Sequence, residues 1–137
     1  MFLLIFLMTF INTPKDKIEI QNAWLRTAGA GMNTAMFFDI VNNSDKPDTL
    51  YKVESDLAEL VQIHETYKNG DMMGMREVKN VVVKLHSTFK FKPGGHHVMF
   101  INLKNDIKEG DKTEVALYFK VAGKIKVEVP IKNMITE

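Results

Sequence analysis

Cysteine is missing altogether from the 137 residues of this chain. Its absence excludes disulfide frameworks, thiolate zinc sites and cysteine nucleophiles together, and leaves a polypeptide that an oxidising compartment cannot crosslink. An excess of either charge is missing too, because 18 lysines and arginines nearly balance 17 aspartates and glutamates. There is then no long-range positive field to collect nucleic acid and no acidic tail. No apolar run is long enough for a membrane span. The most apolar stretch, Met1 to Ile11, holds eleven residues where about 20 are needed. Long helical periodicity, internal repeats and low-complexity tracts are also absent. The length fits one domain with an interior large enough for a hydrophobic core.

What is present begins with that apolar stretch, MFLLIFLMTFI, broken by the polar Asn12-Thr13-Pro14-Lys15-Asp16-Lys17. It matches the apolar centre of a secretory signal peptide, although no Lys or Arg precedes it and no small-x-small cleavage site follows. Residues 1–12 are therefore expected to be a signal-like segment. The protein is expected to be periplasmic or otherwise exported, and membrane-anchored if the segment is retained. A buried first strand is the alternative, but Phe, Leu and Ile without alternation are unusual for a half-exposed one.

From Ile18 onward the pattern is mostly period two, with turn signals at short intervals, which predicts an all-β sandwich or barrel. Strands are expected through Ile18 to Leu25, Ala35 to Val41 and Leu50 to Val53. Leu57 to Ile63 reads as one helical turn or an extended segment, and the alternation of Val61 and Ile63 with Gln62 and His64 favours extension. Lys68-Asn69-Gly70-Asp71 has hairpin-turn chemistry. Val81, Val83, Leu85, Phe89 and Phe91 alternate with polar residues, so one face of that segment should be buried and the other wet. Lys92-Pro93-Gly94-Gly95 should end it. His96 to Leu103 is the next strand. Val115 to Val121 and Lys124 to Val129 form a hairpin about a two-residue Ala122-Gly123 loop, with Pro130 following.

Chemistry concentrates between His64 and Met99. The spacing is His64, ten residues, Met75, twenty-one residues, His97, one residue, Met99. Imidazole binds many first-row ions, whereas thioether sulfur is soft, uncharged and poorly matched to calcium, magnesium or zinc. Two His and two Met therefore favour Cu(I). His97 and Met99, at i and i+2 on a strand, share one face. The same alternation also fits a core face of His97, Met99, Ile101 and Leu103. His64 falls on the polar side of its own alternation, and Met75 follows a glycine-containing loop where a packing methionine is less expected.

Other candidates read differently. His86 shares a lysine-bearing face and is expected on the surface. His96 points opposite to His97 on a regular strand and is expected beside the site or at the surface rather than as a ligand. Met72 and Met73 are alternate ligands, an access path, or loop residues packing over the end of the sandwich. Met32, Met36 and Met134 read as core or surface.

With these residues in view, the chain resembles the PCuAC-type periplasmic copper(I) chaperones, whose signature is His, ten residues, Met, twenty-one residues, His-x-Met. The likeness extends to Ala23-Trp24-Leu25-Arg26, His64-Glu65-Thr66, Met75-Arg76, Lys92-Pro93-Gly94-Gly95 and Lys108-Glu109-Gly110-Asp111. It covers residues 18–132. It implies a single cupredoxin-like Greek-key β-sandwich holding Cu(I) at an exposed end. It also implies delivery to the copper-A centre of cytochrome c oxidase, sometimes alongside a Sco-type protein. The chain departs from the pattern in its incomplete signal and in a tail past Val129 without a Met- and His-rich extension. A second copper site in the tail is therefore not expected.

Rival functions are narrowed by the same residues. A blue-copper electron carrier needs a cysteine thiolate, and there is none. No nucleophile motif or paired-carboxylate arrangement marks an enzyme. Copper buffering or resistance would use the same ligands as delivery, and in a metal-free secreted interaction module the four residues would merely pack. The expectation is a monomeric, exported Cu(I) chaperone that is not an enzyme.

Overall fold

A computed structural model describes residues 17–133, and every regular element in it is a β-strand. Residues 1–12, expected from the sequence to be signal-like, and Met134 lie outside the described residues. In chain order the strands are β1 (Ile18–Arg26), β2 (Thr34–Asn42), β3 (Asp48–Glu54), β4 (Ala58–Asn69) and β5 (Met72–Glu77). There follow β6 (Val81–Val83), β7 (Ser87–Phe91), β8 (His96–Leu103), β9 (Lys112–Phe119) and β10 (Gly123–Lys132). The first sheet runs β5-β4-β8-β2-β1, and β7 pairs with the far half of β2. The second runs β10-β9-β3-β6, and a short parallel pairing of β1 with β10 at Leu25 and Arg26 joins the two. Side chains from both sheets meet in one core built around the fully buried Phe38, Phe100 and Phe119.

Alternation explains most of the strands. In β2, Met36, Phe38 and Ile40 turn inward with almost no exposure. In β8 it is Val98 and Phe100, which leaves His97 and Met99 on the outer face. A bulge in β1 matters for the site. Asn22 adopts a left-handed φ of 57°, and the register against β2 shifts by one residue between Gln21 and Trp24. An extra residue in one strand inverts its parity. Leu25 consequently drops into the core, while Trp24 and Arg26 rise on the outer face beside Phe37.

β7 and β8 lie end to end along the same edge of β2, and the Lys92–Gly95 loop bulges out between them. Gly94 has a φ of 83° there, which a side chain would resist. The loop returns the chain to the sheet at His96, directly opposite β4.

Three details differ from the sequence pattern. Val81 to Phe91 is not one strand: β6 pairs with β3 in the second sheet, β7 with β2 in the first, and His86 at a φ of 49° makes the corner. Leu85, half exposed at that corner, belongs to neither face. The last hairpin closes through Lys120-Val121-Ala122, because Gly123 already pairs with Phe119, and Pro130 lies within β10 opposite Lys112. Met72, Met73 and Met75 stand on a paired edge strand rather than in a loop.

Candidate metal centre

Three adjacent strands of the first sheet, β5, β4 and β8, bring the cluster together. His64 on β4 is the cross-strand partner of His97 on β8, and their ring centroids are 5.8 Å apart. Met99 stands opposite Gln62 on β4 and opposite Ala35 on β2. Met75 on β5 stands opposite Thr66, two residues beyond His64. Directly opposed residues of antiparallel strands share a face, as do residues i and i+2. His64, Met75, His97 and Met99 therefore project from one side of one sheet, although they come from three separate places in the chain.

Their environments are unequal. His97 is 3% exposed and Met75 58% exposed, with His64 and Met99 partly buried between these extremes. His64 Nε2 donates to Gln62 Oε1 at 2.8 Å, which leaves Nδ1 as the acceptor nitrogen. The His97 ring is hydrogen-bonded to the Gly95 backbone, and its Nε2 has no partner. Both free nitrogens, His64 Nδ1 and His97 Nε2, are buried without a hydrogen bond. A buried polar atom left unpaired costs about 1–3 kcal/mol. Two such atoms on facing rings, each ring held by its other nitrogen, form an arrangement suited to an ion.

Burial lowers the pKa of both imidazoles from the ordinary histidine value. For His64 the loss of solvation outweighs the opposing pull of Glu77. For His97 the loss of solvation is again the largest cause, the Gly95 hydrogen bond opposes it, and repulsion from His64 and His96 adds to it. The pair is thus biased toward the neutral, electron-donating form.

A cavity of about 410 Å³ opens beside the cluster, with Met75, His97 and Met99 in its wall and Arg26, Met32 and Phe37 across from them. His64 is not part of this wall and meets the cluster through His97. Sequence reasoning gave no role at the site to three of the residues that shape it, although Arg26 and Gly95 lie in stretches that carry the family likeness. Gln62 orients His64, and its only signal was a position two residues away on the same strand face. Gly95 holds His97. Arg26 lines the cavity with its guanidinium carbon 5.7 Å from the Phe37 ring and 5.9 Å from the Trp24 ring.

The other candidates fall outside the cluster. His96 turns to the opposite face, where its ring meets Phe89 edge-on at 5.0 Å and its Nε2 lies 3.4 Å from Glu65. His86 bonds Asp45 on the surface at 2.8 Å. Met36 is in the core, and Met32 is exposed at the cavity. Met73, 69% exposed, shares the face of Met75, whereas Met72, 76% exposed, points the other way.

Strands, core and cluster together define a cupredoxin-like β-sandwich with two imidazoles and two thioethers on one outer sheet face. The chain belongs to the family described as "Putative lipoprotein LpqE-like", whose model matches residues 18–131. It is 33% identical over 119 residues to "Putative lipoprotein Lxx21020" of Leifsonia xyli, an alignment covering 86% of this chain and 71% of that protein. Among solved structures it is similar to the copper-bound PCuAC domain from PmoF2, at 25% identity and a TM-score of 0.72 over 86% of this chain and 94% of that one. It is similar also to Cu(I)-loaded DR1885 from Deinococcus radiodurans, at 25% identity and a TM-score of 0.70 over 86% and 80%. The PCuAC resemblance read from the sequence holds for family and fold.

Proposed function

We propose that this protein is a Cu(I) chaperone. In this reading it binds one ion through His64 Nδ1, His97 Nε2 and the sulfurs of Met75 and Met99. The observation that carries the reading is the pair of buried, unpartnered imidazole nitrogens on facing strands, flanked by thioethers. The copper named for the PmoF2 domain and for DR1885 supports it.

The donor set also sets the mechanism. All four ligands are neutral, so the loaded centre carries the +1 charge of the ion itself. Thioethers hold Cu(I) by soft donation without charge attraction. A partner offering cysteine thiolates binds the ion more strongly, and copper moves downhill by exchange of ligands with no change in oxidation state. The copper-A subunit of cytochrome c oxidase, with or without a Sco-type protein, is the recipient we propose. Export fits the apolar Met1 to Ile11 and the lipoprotein name of the relative.

Titration of the purified protein with Cu(I) against a chromogenic chelator tests the ligands. One equivalent should be retained, Met75→Leu and Met99→Leu should each weaken retention at least ten-fold, and Met36→Leu in the core should leave it unchanged. Retention that survives replacement of both histidines would end the reading. Transfer from the loaded protein to an apo copper-A domain tests the recipient.

A further inference from the structure

The cavity next to the cluster has an unbalanced charge. Among the described residues its wall contains Arg26 but no aspartate or glutamate. The Arg26 side chain makes no hydrogen bond or ion pair among the described residues, and its Nε is buried without a partner. Aromatic rings flank the guanidinium, and the β1 bulge fixes it on this face. A guanidinium is always charged and is built to meet an anion. Among the described residues nothing supplies one. Once Cu(I) is bound by neutral ligands, a second positive charge joins the first, and the cavity gains still more attraction for an anion.

We propose that this cavity is the port through which an anionic sulfur ligand, a thiolate, reaches the bound copper, with Arg26 as the residue that selects for it. The proposal rests on the copper reading above. Arg26 acts on the incoming group rather than on the metal. The thiol loses its proton to solvent, and its sulfur forms a bond to Cu(I) as the bond from Met75, the most exposed of the four residues, breaks. The copper remains Cu(I) throughout, so no oxidant or reductant is needed. Apolar side chains of Met32, Phe37 and Pro93 line the same approach, so the charge is screened less there than in open water. A neutral or cationic ligand gains nothing from Arg26 and is discriminated against.

The test compares copper transfer from the loaded wild-type, Arg26→Gln and Arg26→Lys proteins to three acceptors. These are reduced glutathione, a synthetic peptide with two cysteines, and the uncharged chelator neocuproine. Loading is measured first, so failure to hold one equivalent exposes a failure of the copper reading before any transfer begins. Arg26→Gln should slow transfer to a thiolate acceptor about ten-fold, change transfer to neocuproine less than two-fold, and be largely rescued by Arg26→Lys. Slowing with glutathione alone assigns the port to a free thiol. Slowing with the peptide alone assigns it to a cysteine of a partner protein. Should the glutamine variant fail to fold, salt does the same work on the wild type: raising it should slow thiolate transfer and leave neocuproine transfer unchanged. Equal slowing for all three acceptors, or no slowing and no salt effect with either thiol, would overturn the proposal.

Discussion

Two histidines face each other across β4 and β8, and burial lowers the pKa of each. This has two consequences for pH dependence, and they differ. In the unfolded chain both titrate near the free value of about 6.5. Between that value and the lower folded values the unfolded state holds more protons, so stability rises with pH across the window. The apo protein should therefore lose stability as pH falls below about 6.5, and the loss should level off once the folded values are passed. Copper retention behaves otherwise, because protons compete only with imidazoles that take them up in the folded state. Retention should stay flat from pH 8 through 6.5 and decline only in more acid solution. Thermal melts and chelator competition over pH 5 to 8 check both, and a loss of affinity that sets in as pH falls through about 6.5, the free value, would mean that the rings titrate as if exposed. At this scale the sequence was informative for donors and silent about their supports. Imidazoles and thioethers are recognisable as residue types, and the long spacings between them carry the pattern. Gln62 is an ordinary strand polar in one dimension and Arg26 only part of a family-like stretch, and only the fold shows that one orients a ring and the other stands in a cavity with no counter-charge among the described residues.

Among the elements, β5 is the most exposed to change, since it is an edge strand paired on one side only. One contact fixes its height over β4. Gly74 lies under the ring of Tyr67, and a Cβ at that position would come within 2.6 Å of the ring carbon and the hydroxyl. Arg76 covers the same ring, its guanidinium carbon 4.9 Å from the centroid. Gly74→Ala must therefore displace either the tyrosine or the strand. We expect it to destabilise the protein by about 1 kcal/mol, the low end for overpacking because the ring is partly exposed. It should also speed copper loss several-fold, because Met75 is the next residue. Tyr67→Ala in the same chain should restore both quantities, and a double-mutant cycle measures the coupling. Legibility varied among the elements for a physical reason. β8 was read at its true ends because a Pro-Gly-Gly turn and a polar loop bracket it. β6 and β7 were joined because alternation reports which face is wet and carries no information on which sheet is being faced. The corner at His86 is made by a left-handed residue that is neither glycine nor asparagine, so no turn signal announced it. β5 was taken for a loop because an edge strand exposed on both faces shows no alternation.

For the molecule as a whole, the cluster lies in the first sheet, while most of the pairings of β3, β9 and β10 are in the second. A ligand that binds only the folded state stabilises all of it, by about 4 kcal/mol at a thousand-fold excess over its dissociation constant. Amides that exchange by global unfolding should therefore slow throughout when copper is added. Amides that exchange by local opening report something narrower. β5 can peel from β4 without disturbing the core, because its side chains are almost all exposed and one neighbour holds it. If Met75 is a ligand, that opening must also break a bond to the ion, and the β5 amides gain protection beyond what the rest of the sheet gains. Hydrogen exchange of the apo and Cu(I)-loaded protein under native conditions should show β5 protected most. The hairpin of β9 and β10 should change only through the global term. Met75→Leu should remove the extra protection of β5 while leaving that of β4 and β8 around the histidines. If β5 amides are no better protected in the loaded wild type than in the loaded Met75→Leu protein, the edge strand does not take part in holding copper. The ion would then be held by His64, His97 and Met99 alone.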